Sequence, residues 1–165
     1  MSNLHAYASD LGVSGADATT LISVISVCGF VGKIAFGYAA DWISLRVGLW
    51  CAQALAGSGF LILSLEPSYP LMLFAAVLMG LAAGGMLPVW GAIIAAIFGT
   101  RSYGQVMGMT MPVIGILVMP GFVIAGRLRD TTGDYVLALQ LFAGLLVVSA
   151  AVLLPLKLET ASKAT

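Results

Sequence analysis

The chain has 165 residues, 61% of them hydrophobic and 8% charged, with a mean hydropathy of +1.07. A soluble domain carries about a quarter charged residues to face water, so a surface this poor in charge belongs in lipid, and an all-α membrane protein is expected. Seven Lys+Arg balance seven Asp+Glu, which excludes a basic face for nucleic acid.

The N-terminal ten residues have neither a basic start nor an apolar run, so no signal peptide is expected. Ser14 and Asp17 form a capping box ahead of the first apolar stretch. A hydrocarbon core of ~30 Å takes about 20 residues of helix, and five stretches are of that order. The first is 19–40, interrupted only by Lys33. The second is 47–65, which stops at Glu66-Pro67-Ser68-Tyr69-Pro70, where no helix crosses unbroken. The third, 71–98, is longer than a span needs, so it tilts or ends in an interfacial helix. The fourth is 104–126, with Pro112, Gly115 and Pro120 inside it, and the fifth is 135–156, entered through Gly133-Asp134. The loops are short, which predicts antiparallel packing of neighbours.

Basic residues flanking the spans set the orientation. With the first loop (41–46) cytoplasmic, Arg46, Arg101, Lys157 and Lys163 lie inside and Arg127 and Arg129 outside. The N-terminus is then outside and the C-terminus inside a cell (inner) membrane. The chain contains 20 glycines, with Gly80-x-x-x-Gly84, Gly104-x-x-x-Gly108 and Gly29-x-x-Gly32 spaced for tight helix crossings. Cys28 and Cys51 lie in apolar stretches without metal spacing and read as packing residues.

The segment from Gly32 to Arg46 resembles the cytoplasmic loop signature of the major facilitator superfamily, G-x-x-x-D-[RK]-x-G-x-[RK]-[RK]. Gly37, Asp41 and Arg46 match it; Trp42, Ser44 and Val47 replace a base, the glycine and the second terminal base. These departures suit the looser second copy of the signature, which follows the eighth helix. Residues 6–14 then look like the outer end of helix seven and its loop, and 98–104 like the loop between helices ten and eleven. Gly126-Arg127-Leu128-Arg129-Asp130-Thr131-Thr132-Gly133-Asp134-Tyr135 resembles the G-x-x-x-D-x-T-G-x-Y segment of the monocarboxylate and oxalate–formate carrier branch.

The resemblance implies helices eight to twelve of a partial C-terminal six-helix bundle. Residues 1–17 would be the outer end of a missing helix seven with its loop, 18–156 a five-helix transmembrane bundle and 157–165 a cytoplasmic tail. It also implies a share in a secondary carrier for a small organic anion, working by alternating access. Half a clamp cannot alternate, so the chain alone is not expected to transport. Expected partners are the bilayer, the missing N-terminal half or a homodimer partner, and the anion. A carrier of sugars or drugs, and a non-transporting fragment or partner subunit, are the alternatives.

Lys33 is the one ionisable residue well inside an expected span, where a charge costs at least ~2.5 kcal/mol near the helix centre. In the resembling branch a cation here faces the cavity and is associated with the substrate carboxylate; the other reading is a lysine that snorkels to the interface. Asp41 and Arg46 have a conformational role in the family, or else are a solvated loop pair. Pro88 with Gly84 and Gly85, and Pro112 and Pro120, are candidate bends for gating or for packing. Asp130, Gly133 and Tyr135 carry the outer loop motif. Gln105 and Gln140 are candidates for hydrogen bonds within the bundle, and Trp50, Trp90 and Tyr135 are interfacial anchors, lipid-facing packing or cavity walls. His5 sits at the outer terminus, away from any span. No H-E-x-x-H, no G-x-S-x-G and no intramembrane Asp pair is present, so no enzyme, no metal and no cofactor is expected.

Overall fold

A computed structural model describes residues 15–65 and 67–154. They form four helices, α1 (Gly15–Ala39), α2 (Leu45–Leu63), α3 (Tyr69–Thr132) and α4 (Val136–Val152). Ser14 and the whole of 1–14, with His5, lie outside the described residues, as do Glu66 and 155–165. Ser14 of the capping box, 1–14 of the expected helix-seven end and loop (1–17) and the C-terminal tail fall there, whereas Gly15 to Asp17 already belong to α1.

α1, α2 and α3 are each long and apolar enough to cross a membrane; α4 is apolar but shorter. Four helices stand where five were expected, because the loop expected at 98–104 is helical apart from one residue. α3 has 64 residues, ~96 Å of rise, three times the thickness of a hydrocarbon core. Its dihedrals leave the helical region at Gly99 alone, with φ 74° and ψ 163°. That region is open essentially only to glycine. Beyond it the chain doubles back: the Tyr103 hydroxyl lies 2.8 Å from where a Gly91 Cβ would be, and Met79 shares a cavity wall with Leu117 and Ala125. The two limbs of α3, 69–98 and 100–132, are thus separate apolar rods joined by one glycine.

The other joints follow the local chemistry. Ser44 caps α2, its Oγ accepting the Val47 N–H at 3.3 Å. α2 stops at Leu63, and α3 restarts at Tyr69 with Pro70 in its first turn, where a missing N–H costs nothing. Gly133, at φ 87°, ends α3 in the left-handed conformation, and its N–H is donated to the Arg129 carbonyl at 2.8 Å.

The first limb of α3 is the centre of the structure. α1 and α2, although joined by the short turn 40–44, barely touch; α3 lies against both, and α4 packs mainly on α2. Lipid gives apolar helices no hydrophobic drive to associate, so close backbone approach must supply contact. Two of the glycine pairs meet for this purpose. A Cβ on Gly32 would stand 2.5 Å from the Leu81 carbonyl, one on Gly80 2.7 Å from the Ile25 carbonyl, and one on Gly84 would collide with the Gly29 backbone. The third pair, Gly104 and Gly108, meets nothing within 4 Å. At the opposite end from Gly99, Ala18, Leu21, Ile25, Leu63, Met72, Ala75, Ala76 and Tyr135 form a buried cluster.

Candidate functional site

α1 presents three faces. Ala18, Leu21, Ile25 and Gly32 are buried against α3, while Val27, Val31, Ile34 and Tyr38 are exposed and apolar. A third stripe, Thr19, Ser23, Ser26, Phe30, Lys33 and Gly37, falls within a sector of about 80° at 3.6 residues per turn. Within it the hydroxyls are satisfied by their own helix: Ser23 Oγ donates to the Thr19 carbonyl at 3.0 Å and Ser26 Oγ to the Ile22 carbonyl at 2.9 Å. Such back-bonding suits a serine to lipid or to a cavity. A lysine has no such remedy. Lys33 is exposed, six residues or ~9 Å of rise from the end of α1.

Beyond it the loop motif after α1 separates into three roles. Gly37 lies against Pro88, a Cβ there standing 3.9 Å from the proline Cβ, so one loop-motif residue and one expected bend form a single contact. Asp41 is exposed in the turn after α1, its N–H donated to the Tyr38 carbonyl at 3.3 Å. The Arg46 guanidinium stacks 4.5 Å over the Trp50 ring, and Ser44, in the signature's glycine position, is the helix cap.

The outer motif builds the joint between α3 and α4. Gly133 supplies the left-handed turn, Asp134 Oδ1 accepts the Val136 N–H at 3.0 Å, and Thr132 Oγ1 donates to the Leu128 carbonyl at 2.8 Å. The Arg129 guanidinium lies 5.3 Å over Tyr135, which is 9% exposed, packed inside the bundle. Asp130 is exposed. Pro112 and Pro120 lie exposed within the second limb, and Pro88 is half-buried in the first. The structure does not bring the inner and outer motifs together; they occupy opposite ends.

Polar contacts that sequence reasoning missed join α2 to α4. Gln53, 6% exposed, donates from Nε2 to Ser149 Oγ at 2.9 Å, while its Oε1 is buried without a hydrogen-bond partner among the described residues. Trp50 Nε1–H donates to the Ala150 carbonyl at 3.3 Å, one of the orphan carbonyls of the last turn of α4. Trp50, Gln53 and Gly57 are spaced to share a face, and that spacing was the available signal. Gln105 and Gln140 are exposed instead. Of the cysteines, Cys28 is half-buried beside Gly80 and Cys51 is exposed. Among the described residues His, Cys, Asp and Glu nowhere gather in threes.

The profile of the Major Facilitator Superfamily matches residues 1–164. Among curated proteins, the chain is similar to Monocarboxylate transporter 12 of Rattus norvegicus, 33% identical over 154 residues that cover 90% of the chain and 31% of the relative. Monocarboxylate transporter 11 of Homo sapiens is 30% identical over 157 residues (89% of the chain, 33% of the relative). Monocarboxylate transporter 13 of Rattus norvegicus is 26% identical over 158 residues (93% and 36%). The chain thus spans about a third of the length of these relatives. No solved structure matches it significantly.

Proposed function

The chain belongs to the Major Facilitator Superfamily, and on that premise we propose that it supplies the C-terminal part, helices eight to twelve, of a secondary carrier for a small organic anion such as a monocarboxylate. The carrying observation is the α1 stripe on which Thr19, Ser23, Ser26 and Lys33 stand with Phe30 and Gly37. Lys33 is its one cation, set within a membrane helix on a face that avoids both the packed interior and the apolar side. A wet cavity facing that stripe accommodates the charge, and a substrate carboxylate complements it. The similarity to monocarboxylate transporters 11, 12 and 13 supports the same substrate class. Lysine offers a point charge where arginine would offer a fork, so it suits a carboxylate held by one contact.

Alternating access needs a second set of helices opposite this one. The exposed second limb of α3, with no buried residue between 100 and 124, supports a partner there. The end bearing Arg46 and Arg101 is the cytoplasmic one on this reading, and Asp41, Arg46 and the Gly37–Pro88 contact work as its conformational latch.

The test is uptake of labelled pyruvate into vesicles from cells expressing the chain with its native flanking reading frames. Lys33→Gln should abolish saturable uptake, and Lys33→Arg should retain it. Unchanged pyruvate affinity in Lys33→Gln would sink the assignment.

A further inference from the structure

One short stretch of the first limb of α3, Gly85 to Gly91, is met from three sides. A Cβ on Gly85 would collide with the Phe36 ring of α1. Pro88 lies against Gly37 of the same helix, and the Val89 methyls stand 3.3 and 3.4 Å from where a Gly48 Cβ of α2 would be. Gly91 is buried and turned to the second limb. The atoms nearest to a Cβ on it all belong to Tyr103, with the hydroxyl at 2.8 Å and the ring edge at 3.8 Å. Glycine inside a helix costs about 0.5–1 kcal/mol relative to alanine; at Gly91 the missing methyl leaves the seat of a phenol.

The joint at Gly99 gives that seat its consequence. Gly99 is the one residue of α3 with non-helical dihedrals, and hinges are a few such positions that absorb the change between two rigid bodies. Glycine turns through φ/ψ space with little steric resistance, and among the described residues nothing stands within 4 Å of a Cβ there. Tyr103 is half-buried and lies four residues past the pivot, ~6 Å of rise. Val106, Thr110 and Ile114 follow, half-buried on the same face, before every residue from 115 to 120 turns out exposed among the described residues. Close to a pivot a small release becomes a large swing. Freeing Tyr103 by ~2 Å on its ~6 Å arm turns the limb by ~20° and carries Met109, ~15 Å along, by ~5 Å. We infer that Tyr103 is a clasp. Seated at Gly91, it fixes the angle at which the second limb leaves Gly99; unseated, it lets that limb pivot at the end of the bundle that bears Arg46 and Arg101.

The test is a pulsed dipolar distance measurement between nitroxides at two exposed positions, Leu87→Cys and Met109→Cys. The chain is expressed with its native flanking reading frames, with all other cysteines replaced by alanine. The parent should give one narrow distance. Tyr103→Ala empties the seat and Gly91→Leu fills it from the opposite limb, so each should lengthen or spread that distance by about 5 Å. A second pair, Val31→Cys and Met86→Cys, spans the crossing of Gly29 with Gly84 and should keep its distance in both variants. Either variant with the parental Leu87–Met109 distance, a parent that already shows the spread, or a Val31–Met86 distance that moves as well would each overturn the proposal.

Discussion

Gly84 shows most directly how one hydrogen atom in place of a methyl group decides a helix crossing. A Cβ at that position collides with the backbone of Gly29, and backbone cannot rotate away as a side chain can. Gly84→Ala should therefore destabilise the fold by about 1–3 kcal/mol, read as a lower midpoint of unfolding by dodecyl sulfate in bicelles. Gly104→Ala, in open space, should be neutral or stabilising by up to about 1 kcal/mol. Equal effects at the two positions would refute the crossing. Gln53 makes an opposite prediction. Its Nε2 donates to Ser149, its buried Oε1 accepts from no donor among the described residues, and interhelical hydrogen bonds in membranes average only ~0.6 kcal/mol. Gln53→Leu should thus leave stability unchanged or raise it, as replacing a half-satisfied polar group by an apolar one does. A clear loss in the same unfolding assay would mean that Oε1 has a partner in the membrane.

At the scale of the element, the turn at Gly99 concentrates a whole loop into one pair of dihedrals. Gly99→Ala places a Cβ in a conformation that L-residues avoid, at a cost of about 1–3 kcal/mol, although nothing lies within 4 Å of it. The loss should appear in unfolding midpoints and disappear in Gly99→Asn-Gly, where an added residue keeps a glycine at the break. Strain rather than packing is then the cause. This turn also marks a limit of what was legible. The apolar rods and the Pro67–Pro70 break could be read, because span length and proline chemistry are local. A break at 98–104 was read too, but not that it would narrow to Gly99 alone, because a single positive-φ glycine looks like the other glycines in the sequence. Likewise Gly29, Gly32, Gly80 and Gly84 were visible as small-residue spacings, but their mating depends on which helices become neighbours. Gln53 and Ser149 were hidden for the same reason, being 96 positions apart. On α1, Lys33 stood out in the sequence, whereas the stripe it shares with Thr19, Ser23 and Ser26 needs the buried face to define it.

For the whole molecule the asymmetry of burial is the informative quantity. The first limb of α3 is enclosed by α1 and α2, whereas between 100 and 124 the second limb buries no residue, and Gly104, Gly108 and Gly115 have nothing near them. Glycine at exposed helical positions weakens a helix by roughly 0.5–1 kcal/mol relative to alanine. Its use there gains a purpose when another helix comes within backbone contact. The relatives are about three times as long as this chain, so they hold further sequence with which such a face can be covered. Gly108→Leu separates the possibilities because it acts only on what docks there. In the chain alone it should leave the unfolding midpoint within about 0.5 kcal/mol of the parent. Expressed with its native flanking frames, the same substitution should abolish both pyruvate uptake and disulfide crosslinking between a cysteine at Ser102 and the partner helix. Retention of uptake with no crosslink from position 102 in either the parent or the variant would show that the second limb faces lipid alone, and the docking partner would then have to be sought on the stripe of α1.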